Sequence, residues 1–181
     1  MRPILIPDSG PLFSLAAGDL LGLLLKFQTA ITDVVKEETI DRGALSGAST
    51  EAAKLHQFYA SNEKVIQILP TQVGHSIQHL RQTCPNAPLP PNAGELSIQS
   101  LLIGLSVSKG PKPIVLFEDG WFLRNAAALH GSCVLVSTEA FLVNAQSLGL
   151  IPSAEEARTA ISNLRPYAYR EAKIIRKDME R

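Results

Sequence analysis

The first twelve residues constrain the fold of this chain most. A short apolar run, Ile4-Leu5-Ile6-Pro7, is followed by Asp8 and then by Ser9-Gly10-Pro11-Leu12, which turns the chain into a helical pattern. Apolar runs of this length between turn residues are typical of buried strands in parallel sheets. Because open α/β sheets bind ligands at the carboxyl ends of their strands, Asp8 occupies a position where such a fold carries its chemistry.

The rest of the chain alternates between strand-like and helix-like patterns. Strands are predicted at 30–32, 65–69, 114–117 and 133–136, and helices at 12–27, 34–40, 51–60, 71–82, 95–108, 121–130, 138–148, 154–164 and 167–181. The helix at 95–108 is apolar nearly all round and is expected to be buried, whereas 41–50 and the proline-rich 84–91 are predicted loops. The alternation predicts an α/β fold of three layers, in which helices cover both faces of a central parallel sheet.

Composition limits the class of protein. The chain has 181 residues, of which 45% are hydrophobic and 19% charged, as is typical of a globular domain. Lys plus Arg and Asp plus Glu both number 17, so nucleic-acid binding would need a local basic patch. Two cysteines fit a reducing compartment, the start shows no leader pattern, and the apolar residues 20–27 are too few for a membrane span. We therefore expect a soluble cytoplasmic protein without membrane attachment.

Four acidic residues stand at or near the ends of predicted elements. Asp8 and Asp119 follow strands, Glu95 opens the apolar helix, and Glu38 lies one turn into the helix at 34–40. Taken singly, each can be a helix cap or a solvated loop residue. Gathered in one cleft, carboxylates repel each other and need a compensating cation. Mg²⁺ or Mn²⁺ prefers such oxygen ligands, and either ion can activate water and stabilise charge on a phosphate.

Several short motifs occur in a characteristic order. They are D-S-G-P-L from Asp8, V-x-x-E ending at Glu38, G-E at 94–95, F-E-D-G-W-F from Phe117, V-L-V-S-T at 134–138 and L-G-L-I-P at 148–152. In this order and spacing they resemble the PIN domain, and most closely its VapC-like toxin branch, whose members begin D-[ST]-x-P-L. The resemblance covers residues 4–152. We predict a PIN-like nuclease domain at 1–152 and a C-terminal helical extension at 153–181 that packs on it or projects from it.

The resemblance implies a metal-dependent endoribonuclease with Mg²⁺ or Mn²⁺ as cofactor. Its catalytic acids would be Asp8, Glu38, Glu95 and Asp119, with the metal held by Asp8, Glu95 and Asp119 and with Glu38 as a ligand or as the group that orients the attacking water. Ser9 and Thr138 would be hydroxyls beside the ligands or the substrate phosphate. The chain departs from the family pattern at Gly10, in a longer segment at 41–62 and in the charged tail after Pro152.

The resemblance also implies partners. The substrate would be RNA, and the protein would be the toxin of a type II toxin–antitoxin pair, with an antitoxin protein as its inhibitor. Family members usually form homodimers, for which the apolar surface of the first helices is the candidate interface. Two alternatives remain: a non-catalytic PIN-fold module that binds RNA or a protein, and a nuclease that acts on DNA.

Neighbouring residues leave assignments open. Glu37 can take the place of Glu38, although helix geometry lets only one of them point into a cleft, and Glu118 can likewise replace Asp119. Arg124 lies little more than one helical turn after Asp119, so it can contact a substrate phosphate or form an ordinary salt bridge.

Two further clusters have weaker functional interpretations. His75 and His79 have a spacing that suits Zn²⁺, with Cys84 nearby, but surface histidines are favoured. The segment 165–181 carries six Lys or Arg against three Asp or Glu, a local charge of +3. It can contact RNA or an acidic partner, or pack on its own domain.

Overall fold

The central sheet has five parallel strands. The computed structural model describes residues 3–106, 110–129, 133–166 and 168. Its strands are β1 (Ile4–Pro7), β2 (Gln28–Thr32), β3 (Gln67–Leu69), β4 (Ile114–Phe117) and β5 (Val134–Ser137), in the order β3-β2-β1-β4-β5. Leu5 pairs with Thr29 of β2 on one side and with Ile114 of β4 on the other. The chain first builds outward from β1 to β3 and then returns to the opposite side, so the strand order reverses between β1 and β4.

Helices flank this sheet, which confirms the predicted α/β class. They are α1 (Ser9–Ala17), α2 (Asp33–Thr39), α3 (Thr50–Asn62), α4 (Gln72–Thr83), α5 (Ala93–Ser106), α6 (Trp121–Arg124), α7 (Ala126–Leu129), α8 (Thr138–Ser147) and α9 (Ala154–Leu164). Helix α1 packs on α3 and α9, whereas α2, α4 and α5 pack against one another. The apolar side chains of the central strands are buried between these layers: Leu5, Ile6, Val115 and Leu116 are at most 1% exposed.

The predicted helix at 12–27 is wrong in its extent. Helix α1 begins at Ser9 and ends at Ala17, and residues Leu21–Lys26 form a 3₁₀ turn. The break has a local cause, because Asp19 adopts a left-handed conformation (φ 55°), which an aspartate tolerates and a regular helix does not. Leu12 and Leu15 are 0% exposed. Leu25, in the 3₁₀ turn, is 38% exposed. The dimer interface expected on the first helices stays a prediction.

Three other predictions need correction. The loop predicted at 41–50 contains a 3₁₀ turn at Asp41–Ala44. The helix predicted at 121–130 is divided at Asn125 into α6 and α7. Helix α5 is not buried all round, since Leu96 is 38% and Ile103 is 66% exposed. Its contacts with α2, α4 and β2 cover only part of its circumference, and an apolar sequence alone does not say which side of a helix is covered.

The C-terminal part of the described chain packs on the rest. Helix α9 contacts α1 and α8, and Ile161 is 0% exposed. The predicted helix at 167–181, apart from residue 168, and the ends of those predicted at 95–108 and 121–130 fall outside the described residues. None of the helices in the described part is long and apolar enough to cross a membrane.

Candidate metal centre

Asp8 and Asp119 lie at the carboxyl ends of adjacent strands. Asp8 follows β1, and its backbone N–H donates to the carbonyl oxygen of Leu116 in β4 at 2.9 Å, which continues the strand pairing up to the acid. Asp119 follows β4 two residues after Phe117. The two side chains therefore meet where the strand order reverses, at the crevice in which open α/β sheets bind ligands.

Glu95 reaches the same place from helix α5. Asn92 has a positive φ (57°), and its carbonyl oxygen accepts from the Leu96 N–H at 2.9 Å, so the proline-rich loop turns sharply into the helix. Glu95 is in the first turn of α5. One carboxylate oxygen from each of Asp8, Glu95 and Asp119 lies within 4.8 Å of the other two. Across the described residues, no other three acidic, histidine or cysteine side chains come this close.

Helix capping does not account for the position of Asp8. Asp8 stands at the N-cap position of α1, but its side chain makes no capping hydrogen bond. Asp119 does accept a hydrogen bond from the Trp121 N–H at 2.8 Å, which orients its carboxylate at the turn into α6. Asp119 also forms a hydrogen bond with Glu95.

Burial and like charge raise the pKa values of two of these acids. Asp8 is 4% exposed; burial raises its pKa well above the usual range, and the charge of Glu95 raises it further. Burial is also the main cause that raises the pKa of Glu95, to about 7, and a hydrogen bond with Asp119 adds to it. In the absence of a cation, the raised pKa values favour protonated carboxyl groups, which repel each other less than carboxylates do. A bound divalent cation would offset the same repulsion between the carboxylates.

Glu38 lies beside the three acids. The Ser9 hydroxyl donates a hydrogen bond to Oε2 of Glu38. A Cβ added at Gly94 would lie 2.6 Å from the same oxygen, so a side chain there would displace the end of the Glu38 side chain. Glu38 is therefore held between the chain neighbours of Asp8 and Glu95, although it is not one of the three groups that meet within 4.8 Å.

The two alternative acids are paired with arginines. Glu37 accepts two hydrogen bonds from Arg81, at 2.7 and 2.9 Å. Glu118 is buried and faces Arg165, whose Nη1 lies 3.3 Å from its Oε2. Because both carboxylates already have a cation partner, Glu38 and Asp119 are the members of each pair that remain for the acid cluster.

The other predicted site residues differ in their position. Ser9 contacts the cluster through Glu38. Thr138 is buried, its hydroxyl lies 3.5 Å from the carbonyl oxygen of Phe117, and it is close enough to Glu118 to lower the pKa of that carboxyl. It therefore supports the end of β4. Arg124 is exposed at the end of α6, and its contact with a phosphate stays a prediction.

The histidine pair does not form a metal site in the part of the chain that the structure describes. His75 and His79 are exposed on α4, Cys84 is exposed after its end, and these residues belong to no group of three potential ligands.

Sequence patterns missed two contacts around the site. The hydroxyls of Thr32 and Ser97 are 2.7 Å apart and join the start of α2 to α5. Arg165 donates to the carbonyl oxygen of Gly10 at 2.7 Å. These partners are 65 and 155 positions apart, and no periodicity of a single sequence connects residues so distant.

Comparisons of the chain with models of protein families, with curated proteins and with solved structures gave no match.

Proposed function

We propose that this protein is a metal-dependent endoribonuclease of the PIN type, which hydrolyses phosphodiester bonds of RNA. The observation that carries this proposal is the convergence of Asp8, Glu95 and Asp119 within 4.8 Å at the crevice between β1 and β4. The parallel sheet and the order of the motifs from Asp8 to Phe122 agree with it.

Mg²⁺ or Mn²⁺ suits this set of donors. The three groups that meet are all carboxylates, without thiolate or imidazole, and hard divalent cations prefer oxygen ligands. Asp8, Glu95 and Asp119 would hold the ion. When bound, such an ion lowers the pKa of a coordinated water and offsets the negative charge that develops on a phosphate under attack.

The chain's own residues have distinct proposed roles. Burial of Asp8 at the end of β1 fixes one ligand to the rigid centre of the sheet. Asp119 is oriented by the Trp121 N–H. Glu38, held by the Ser9 hydroxyl, would orient the attacking water or add a ligand. Arg124 would contact the substrate phosphate.

In the cell we propose that the protein is the cytoplasmic toxin of a type II toxin–antitoxin pair and acts as a homodimer. The exposed Leu96 and Ile103 of α5 offer apolar surface for a protein partner. Co-expression with the protein encoded beside it tests this pairing: the two should copurify, and cleavage should be suppressed in the complex.

The nuclease activity is tested with labelled single-stranded and structured RNAs, and with DNAs of the same sequences, in Mn²⁺ or in EDTA. We expect cleavage of RNA that requires Mn²⁺ and is lost in Asp8→Asn, which keeps the shape of the side chain and removes one charge. The matched control is Asp19→Asn, since the Asp19 side chain is 78% exposed and asparagine tolerates its left-handed backbone.

The alternatives give different results in the same assay. Cleavage of DNA but not RNA would indicate a DNA-directed nuclease. If the wild-type protein cleaves neither nucleic acid with any divalent metal, yet binds RNA or a protein tightly, the nuclease proposal is wrong and the protein is a binding module.

A further inference from the structure

Arg165 connects the C-terminal end of α9 to the start of the chain. Its Nη1 lies 2.7 Å from the carbonyl oxygen of Gly10 and 3.3 Å from Oε2 of Glu118, and it also donates to the Ser14 hydroxyl. The guanidinium carbon lies 5.8 Å from the centre of the Phe13 ring, within the range of a cation–π contact. One cation thus holds acceptors on α1 and at the end of β4.

These acceptors are neighbours of the clustered acids. Gly10 is two residues after Asp8, and Glu118 directly precedes Asp119. The two segments also approach closely, because a Cβ added at Gly10 would lie 3.2 Å from both Cβ and Oε2 of Glu118. The distance between the segments that follow β1 and β4 is therefore set by direct packing and by the shared arginine.

The charge on Arg165 is needed at this position. The Glu118 side chain is 8% exposed, and its Oε2 lies 3.3 Å from Nη1 of Arg165. Without Arg165 this buried carboxylate would keep the Ser14 and Thr138 hydroxyls but lose its counter-ion, which is destabilising and favours a movement of the side chain toward water. Such a movement would pull on Asp119, the next residue of the chain.

We propose that Arg165 is a positioning residue for the metal centre, because it ties the segment that carries Asp8 to the segment that carries Asp119. This inference rests on the proposed metal site but not on RNA cleavage. It gives the C-terminal helix α9 a part in the site, although that helix contributes no acid to the cluster.

The test is the affinity for Mn²⁺, measured by titration calorimetry at a temperature where circular dichroism shows each variant folded, together with its thermal midpoint. We expect Arg165→Gln to weaken Mn²⁺ binding by about tenfold or more, which is the loss of metal affinity typical when a residue that orients a metal ligand is replaced. The matched control is Arg158→Gln in α9, the helix that Arg165 follows; the Arg158 side chain is 42% exposed and pairs with Glu139 at 3.6 Å. It should bind Mn²⁺ like the wild type.

A second variant keeps the proposal testable if Arg165→Gln fails to fold. The double variant Glu118→Gln/Arg165→Gln leaves no unpaired buried charge and still lacks the link to Gly10, so it should fold and bind Mn²⁺ as weakly. Wild-type affinity in the double variant, or a lower thermal midpoint with unchanged affinity in Arg165→Gln, would overturn the positioning role while leaving the metal site intact. A wild-type protein that binds no Mn²⁺ would overturn both the metal site and this inference, and a protein that binds Mn²⁺ but cleaves no RNA would overturn only the nuclease.

Discussion

Asp8 combines two properties that oppose folding. It is 4% exposed, and the charges of Glu95, Asp119 and Glu38 all raise its pKa. An isolated domain gains nothing in stability from such an arrangement, because each carboxylate must be desolvated beside others of the same sign. Sites that bind ligands commonly carry this kind of local cost.

Glu95 makes the stability of the metal-free protein dependent on pH. Its pKa is raised from 4.5 to about 7, so the folded state binds a proton more tightly than the unfolded state does. The resulting stability is fully present below the unfolded pKa and is lost as the pH rises through about 7. In EDTA, we expect a higher thermal midpoint at about pH 5.5 than at about pH 8.

Glu95→Gln checks the origin of this dependence, because glutamine keeps the size of the side chain and does not titrate. The difference in thermal midpoint between the two pH values should shrink in this variant. An equal difference in Glu95→Gln and wild type would assign the effect to other groups, such as Asp8.

Gly94 controls the place of Glu38. In Gly94→Ala, the new methyl group would lie 2.6 Å from Oε2 of Glu38, and the flexible carboxylate end has to move away from the Ser9 hydroxyl. We expect cleavage to fall by about tenfold or more, while the free energy of unfolding changes by about 1 kcal/mol or less. RNA cleavage and urea unfolding measure the two effects.

Gly104→Ala is the matched control on the same helix. A Cβ there meets nothing within 4 Å, and the residue is exposed. Alanine should stabilise the helix by about 0.5–1 kcal/mol and leave cleavage unchanged. Equal losses of cleavage in both variants would contradict the specific role of Gly94.

At the scale of elements, hydroxyl groups join helices α2 and α5, each of which carries an acid of the site. The Thr32 hydroxyl accepts from the Val35 N–H at 3.1 Å, so it caps α2, and it also bonds the Ser97 hydroxyl at 2.7 Å. Ser97 in turn donates to the carbonyl oxygen of Gly94 at 2.6 Å. These buried hydrogen bonds therefore fix α2, which carries Glu38, against α5, which carries Glu95.

Thr32→Val removes this link without changing the shape of the side chain. The variant loses a helix cap and one buried hydrogen bond, so we expect a loss of about 1–2 kcal/mol in the free energy of unfolding and weaker Mn²⁺ binding. Ser49→Ala serves as control, since Ser49 caps α3 through the Ala52 N–H at 3.2 Å. It should cost about 1 kcal/mol at most and leave Mn²⁺ affinity unchanged. Unchanged affinity in Thr32→Val would show that the link stabilises the fold without adjusting the site.

At the scale of the molecule, helix α9 belongs to the same packed unit as the sheet. Ile161 is 0% exposed, and a Cβ added at Gly18 would lie 3.0 Å from its Cγ1. We expect Ile161→Ala to lower the free energy of unfolding by about 2–5 kcal/mol, in a single transition. Leu164→Ala, where the side chain is 54% exposed, should change it by about 0.5 kcal/mol or less. Urea unfolding followed by circular dichroism distinguishes this result from two transitions, which would indicate that α9 unfolds independently.

The sequence by itself determined the fold class, most element positions and the candidate acids. These depend on local information: the length of an apolar run, the spacing of apolar residues along a helix, and turn residues such as Gly149, which has a positive φ (69°) after α8. Local information did not predict the end of α1. The apolar pattern of residues 12–27 continues past Gly18-Asp19, but the left-handed conformation of Asp19 ends the helix there.

Only the tertiary structure decided which side chains meet. The order β3-β2-β1-β4-β5 brings Asp8 and Asp119 to one crevice, and packing of α2 on α5 brings Glu38 to Gly94. The tertiary structure also pairs Glu37 with Arg81 and Glu118 with Arg165. The neighbouring acids Glu38 and Asp119 therefore have a different environment from Glu37 and Glu118. Such contacts depend on how whole elements fill space against one another, and in a single sequence no short-range pattern records a partner that lies several elements away along the chain.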